Sequence, residues 1–294
     1  MRGIFDGLWE GISTWFKDLL VNFAMANFNG LFDGINQQLN WAKIEAGKTP
    51  QQFNASIFSL IHNLSQTVIV PIAGLVIAFI CTYELIQMII EKNNLHEFEL
   101  FNIFKWVLKT SFTIVLVTNT WNIVMAVFDV SQHITSQAAG VISTNGMDSS
   151  AILANLEQQL IQLDIGELLG IVVISLICSL AVYVIYAIVF IIIISRMIEI
   201  YLTTSLAPIP MALLLRKEGS HGMGQNYLRG LFALGFQSFL IIVCIGIYSV
   251  LVTTIQFESS TLVLQLIQLV AYTVLLCLTL LKTGNLAKSI FNAH

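Results

Sequence analysis

The chain has 294 residues, 56% of them hydrophobic and only 10% charged, with a net charge of −4 and a mean hydropathy of +0.83. Soluble domains carry about 25% charged residues, so these figures exclude a soluble globule as well as disordered and coiled-coil chains; they define an all-α, polytopic membrane protein. The net negative charge also argues against a nucleic-acid groove built from dense Lys and Arg, because such grooves bind by neutralising phosphate.

Residues 1–65 read as an amphipathic, interfacial region. Ile4, Leu8, Ile12, Trp15, Phe16, Leu19 and Phe23 recur every three or four residues and form one apolar helical stripe. No continuous apolar h-region precedes them, so a cleavable signal peptide is not expected. Trp9, Trp15 and Trp41 suit the headgroup level of a bilayer, where an indole buries its body and keeps its N–H wet. Packing of the stripe on the protein's own spans or on another subunit fits the spacing equally well.

Residues 66–294 form the transmembrane region. A spanning helix needs about 20 mainly apolar residues. That ruler marks five spans, Gln66–Ile90, Thr110–Phe128, Leu168–Ser195, Leu231–Thr254 and Leu262–Leu281. Within them, Glu84, Asn119 and Gln237 are candidate intramembrane polar residues. Glu84 lies about 10 Å from the inner end of its helix, seven residues before Glu91. It is expected to be satisfied by Lys105, Lys109 or headgroup water, the other reading being a pore-facing carboxylate. Gln237 and Asn119 suit interhelical hydrogen bonds.

The outer loop, residues 129–167, contains no Lys or Arg. Ser149 and Ser150 can cap a helix there, with Ile152, Leu153, Leu156, Leu160 and Leu163 on one face. The inner loop, residues 196–230, is basic. Within it, Ile200–Leu215 is apolar for 16 residues but carries Pro208 and Pro210. As a helix it would reach about 24 Å, and internal prolines kink a chain, so this segment is expected to re-enter or lie along the inner face. Arg196 and Glu199, three residues apart, can pair on one helix face at the cytoplasmic boundary. Together Arg196, Glu199, Pro208 and Pro210 are the candidate assembly or gating residues.

Lys and Arg mark the cytoplasmic side. Nine of the 13 basic residues lie beside the proposed inner ends: Lys92, Lys105, Lys109, Arg196, Arg216, Lys217, Arg229, Lys282 and Lys288. This pattern places the C-terminus in the cytoplasm and, with five spans, the N-terminus outside.

Chemistry-bearing patterns are sparse. The five histidines lie outside the spans without metal-ligand spacing, and there is no Walker loop, H-E-x-x-H or G-x-S-x-G. Cys81, Cys178, Cys244 and Cys277 sit in apolar runs, where they behave as small hydrophobes. Neither catalysis nor a cofactor or metal site is expected.

The run RMIEIYLTTSLAPIPMALL from Arg196, followed by NYLRGLFALGFQSFLIIVCIGIYSVLV, resembles the TrbL-like polytopic inner-membrane subunit of conjugative type IV secretion systems, in its compact Gram-positive form. The resemblance covers most of the chain from the first span and is strongest over Arg196–Val252. It implies a multimeric membrane channel or scaffold on a mobile element, through which DNA or protein substrates pass, energised by separate ATPases. The implied partners are those ATPases and other secretion subunits, further copies of the chain, membrane lipid and the transient substrate. This chain lacks a long soluble extension, so functions of such extensions are not carried over. A stand-alone secondary transporter or small-solute channel is the alternative, although midplane ionisable residues and an internal repeat, frequent in coupled transporters, are missing.

Overall fold

The computed structural model describes residues 2–91, 100–143, 149–214, 222–258 and 261–293. Lys92, Arg216 and Lys217 of the basic set, and His96, His221 and His294, lie outside the described residues. Every regular element described is helical. In chain order these are α1 (Arg2–Ala46), α2 (Pro50–Phe53), α3 (Ala55–Leu64), a π-helical turn at Ser65–Ile69, α4 (Val70–Glu91), α5 (Leu100–Thr118), α6 (Thr120–Ser143), α7 (Ser149–Gln162), α8 (Ile165–Ser205), α9 (Pro208–Ala212), α10 (Met223–Thr253) and α11 (Leu262–Ile290). Among the described residues, five helical stretches are long and apolar enough to cross a membrane: Ala55–Ile90, Phe101–Thr118, Ile165–Ser205, Met223–Thr253 and Leu262–Ile290. The chain is thus an all-α, multi-pass membrane protein.

Local chemistry sets several boundaries. Thr49 and Gln52 form a capping box around α2, with Pro50 in the first turn, where its missing N–H costs nothing. Asn54 then caps α3 by accepting from Ser56 N and Ile57 N, so the first apolar rod starts at Ala55, earlier than the hydropathy of Gln66–Ile90 suggested. The second span needs correction: Thr110–Phe128 straddles a break at Asn119, and the apolar stretch is Phe101–Thr118. The third continues ten residues beyond Ser195, to Ser205, absorbing the first part of the Ile200–Leu215 segment.

The chain divides into two compact units. One comprises Met1–Ala46, Gln137–Ile193 and Ile241–Lys282. Its core joins α1, α7 and parts of α8, α10 and α11 through Phe28, Leu156, Leu160, Leu168, Ile241 and Leu266, all fully buried. The outer-loop helix α7 therefore uses its leucine face to pack on α1. On α1 itself the buried face starts at Leu20 and runs through Ala24, Phe28, Leu31 and Ile35. The apolar stripe read from the N-terminal sequence lies on another side: Ile12, Trp15, Phe16, Leu19 and Phe23 are exposed. Periodicity identified a face without identifying what covers it.

The other unit comprises Gly47–Ser136, Ile194–Leu240 and Thr283–His294. Val124, Phe128, Met197, Ile200, Leu231 and Leu234 form one of its cores. Ala73, Ile77, Val117, Met211 and Ala212 form a second, where α9 is held against α4 and α5.

Candidate functional site at the proline segment

The sequence singled out Arg196, Glu199, Pro208 and Pro210, and the structure brings their surroundings together at the end of α8. Arg196 is only 5% exposed, and its Nη2 donates to Leu234 O on α10 at 3.2 Å. One turn later, Glu199 Oε1 receives Lys288 Nζ from the end of α11 at 3.1 Å. Two polar side chains on successive turns of α8 thus tie it to two different helices.

Two tyrosines extend the pattern. Tyr201 Oη donates to Pro50 O at 2.6 Å and approaches Asn54 O at 3.4 Å, fastening α8 to the α2–α3 corner. Tyr227 Oη donates to Thr203 O at 3.2 Å, binding α10 back to α8. Three side chains, Arg196, Tyr201 and Tyr227, therefore hydrogen-bond main-chain carbonyls of neighbouring elements. Away from water such bonds are worth more than at a surface, and leaving a donor unmet is costly. Sequence reading missed both tyrosines. For Tyr201 the available signal was a phenol between apolar residues, since a buried Tyr hydroxyl needs an acceptor; Tyr227, within Gln-Asn-Tyr-Leu-Arg, carried no such signal.

Pro208 and Pro210 neither break a span nor produce an extended segment. After a turn at residues 206–207, Pro208 opens α9 in its first turn. Pro210 follows two residues later, still where a helix needs no internal N–H donor. The prolines therefore start a short helix that buries Pro208, Met211 and Ala212. Gly224 allows the close packing beside it: a Cβ there would stand 2.5 Å from Leu214 Cα and 2.7 Å from Pro210 O.

The intramembrane polar candidates divide. Glu84 Oε1 receives Lys109 Nζ at 2.6 Å, and nearby Cys81 Sγ and Thr110 Oγ1 lie 3.3 Å apart, so two polar contacts join α4 to α5. Gln237 is buried on α10 and its Nε2 donates to Thr283 Oγ1 on α11 at 3.3 Å. Asn119 does not bridge helices in this way. It is exposed at the α5–α6 break, where its Nδ2 turns back to Val115 O at 2.9 Å and caps the end of α5. Among the described residues, no group of three or more His, Cys, Asp or Glu side chains is placed to hold a metal ion. The arrangement supplies cross-bracing between helices.

These features define a multi-pass helical membrane protein whose inter-helix contacts are fastened by buried polar groups. The sequence profile described as TrbL/VirB6 plasmid conjugal transfer like protein matches residues 35–208, more than half of the chain, and the chain belongs to that family. The match includes the Arg196–Pro208 run but stops before the Asn226–Val252 segment that also carried the resemblance. No curated protein and no solved structure matches the chain.

Proposed function

We propose that the chain is a non-catalytic channel or scaffold subunit of a conjugative type IV secretion system, assembling in several copies to help DNA or protein substrates cross the cytoplasmic membrane. Other subunits of the system, including the ATPases, are its partners and supply the energy. The supporting observation is the family match over residues 35–208 on a chain with five membrane-competent helices. In this reading the Arg196–Ala212 region is an assembly or gating element and the C-terminus is cytoplasmic.

The test is in-frame deletion of the coding sequence from the mobile element, with transfer frequency as the readout. Loss of transfer by orders of magnitude, restored in trans, together with crosslinks from the complemented protein to transferring DNA or to other channel subunits, is expected. Unchanged transfer overturns the proposal. Solute uptake into liposomes holding this chain alone, without any transfer defect, would establish the small-solute channel instead.

A further inference from the structure

Within the first unit, α1 runs in step with α8. Asn27 Nδ2 donates to Ser175 Oγ at 3.3 Å. Gly34 faces Tyr186, whose ring lies 3.7 Å from where a Cβ would stand. Trp41 stacks on Phe190 at 5.2 Å between ring centroids. From Asn27 to Trp41 is about 21 Å of helix, and from Ser175 to Phe190 about 22 Å, so the helices run parallel over this distance. Residues of α1 therefore share the depth of their α8 neighbours.

That depth is within the membrane. α8 is the most hydrophobic of the five candidate spans. From Leu169 to Ile191 its exposed residues other than Tyr183 are apolar, among them Val173, Leu176, Leu180, Val184, Ile188 and Ile191. Such a surface suits lipid and not water.

The exposed side of α1 at the same level is different. At 100° per residue, Asn22, Asn29, Asp33, Gln37 and Asn40 fall within an arc of about 80°, and all five are exposed. From Asn22 to Asn40 the stripe covers about 27 Å, close to the roughly 30 Å of the hydrocarbon. Turning this face to lipid would strand an ionisable group and four amides where nothing meets their hydrogen bonds. Each side-chain amide offers two donors and an acceptor, which mobile water satisfies in any rotamer. Ala26 lies within the arc and Gly30 about 20° beyond its edge, and the arc has no large aliphatic anchor between Phe23 and Ile44 for a dry contact with another helix.

We propose that residues 20–46 of α1 lie at membrane depth beside the apolar helices, and that Asn22, Asn29, Asp33, Gln37 and Asn40 line a water-filled path through the membrane. One helix face cannot enclose water, so further copies of this chain, each presenting the same stripe, close the path. The inference deepens the channel reading and rests on it for what uses the path; the path itself follows from the α1–α8 register and the polarity of the stripe.

The experiment uses the full chain in membrane vesicles, with Cys81, Cys178, Cys244 and Cys277 replaced by Ala. Single cysteines are introduced at Asn29, Asp33 and Asn40, with Leu180→Cys and Ile191→Cys as lipid-facing references. The probe is a membrane-impermeant, cationic methanethiosulfonate. Because the thiolate is the reacting form and requires water, the three stripe positions are expected to react at least about tenfold faster than the references. Reaction as slow as at Leu180→Cys overturns the proposal, and so does copy-to-copy disulfide formation at these positions without reagent access, which would mean protein covers the stripe. Asn29→Cys and Asn40→Cys, neutral replacements of neutral residues, carry the test if Asp33→Cys lowers the amount of folded chain. Transfer frequency in the cysteine-free strain separates the two ideas: normal transfer with unreactive stripe cysteines ends the path proposal alone, whereas reactive cysteines with transfer independent of the chain end the secretion-system reading alone.

Discussion

Lys109 Nζ lies 2.6 Å from Glu84 Oε1, joining α5 to α4 by an ion pair whose side chains are 32% and 20% exposed. Removing either partner leaves a partly desolvated charge. Glu84→Gln or Lys109→Met is therefore expected to cost about 1–3 kcal/mol, more than a fully exposed pair. The exchange Glu84→Lys with Lys109→Glu should recover a substantial part. Thermal unfolding of the purified protein in detergent measures this cycle; additive losses in the exchanged protein would show that the pair contributes nothing.

Gly235 packs on Ser131, and a Cβ at Gly235 would overlap Ser131 Oγ. Gly235→Ala is expected to destabilise by about 1–3 kcal/mol, the usual range for overpacking. Ser131→Ala removes the overlapping oxygen and should restore part of that loss when the two changes are combined. The difference in Tm between the single and double variants reads the coupling directly.

Arg196 and Glu199 are one turn apart on α8 but should respond unequally to substitution. Arg196 is buried against a main-chain carbonyl, so Arg196→Ala loses both a hydrogen bond and packed volume, at about 2–5 kcal/mol. Glu199 and Lys288 are 47% and 45% exposed, and Glu199→Gln should cost below about 1 kcal/mol. The yield of folded protein extracted from membranes, compared across the two variants, tests the ranking; equal losses would contradict it.

Around α9 the expected ranking runs against the usual expectation for proline. Pro208→Ala and Pro210→Ala change residues in the opening turn of a short helix, and each should cost no more than about 1 kcal/mol through a less restricted unfolded chain. Gly224→Ala drives a methyl group into the main chain at Leu214 and Pro210 and should cost more than either. Tm values for the three variants decide the order.

The apolar spans were legible because about 20 consecutive apolar residues have few uses other than crossing a membrane. Their ends were less so. Arg196 and Glu199 looked like the edge of the third span, yet both find partners on neighbouring helices, and α8 runs on to Ser205. The break at Asn119 was hidden in an apolar stretch because no proline or glycine marks it; there the Asn119 side chain turns back to Val115 O. The stripe from Ile4 to Phe23 announced an amphipathic helix, but hydrophobic spacing is the same whether lipid or protein covers the face, and the side that packs begins at Leu20. Of the proline-segment site, charged residues and prolines stood out by composition. The contributions of Tyr201, Tyr227 and Gly224 come from contacts distant in sequence, which no local pattern encodes.

The end of α11 is held by two contacts of opposite character. Lys288 reaches Glu199 in a half-exposed ion pair, while Phe291 packs against Phe232 and Phe236 at centroid distances of 6.2 and 5.1 Å. Added salt shortens the Debye length and weakens the first, whereas salting-out ions strengthen the second. Salting-out salts therefore act on the two contacts in opposite directions: as the electrostatic hold of the tail fades, its aromatic hold tightens, and its docking is expected to vary little with the concentration of such salts.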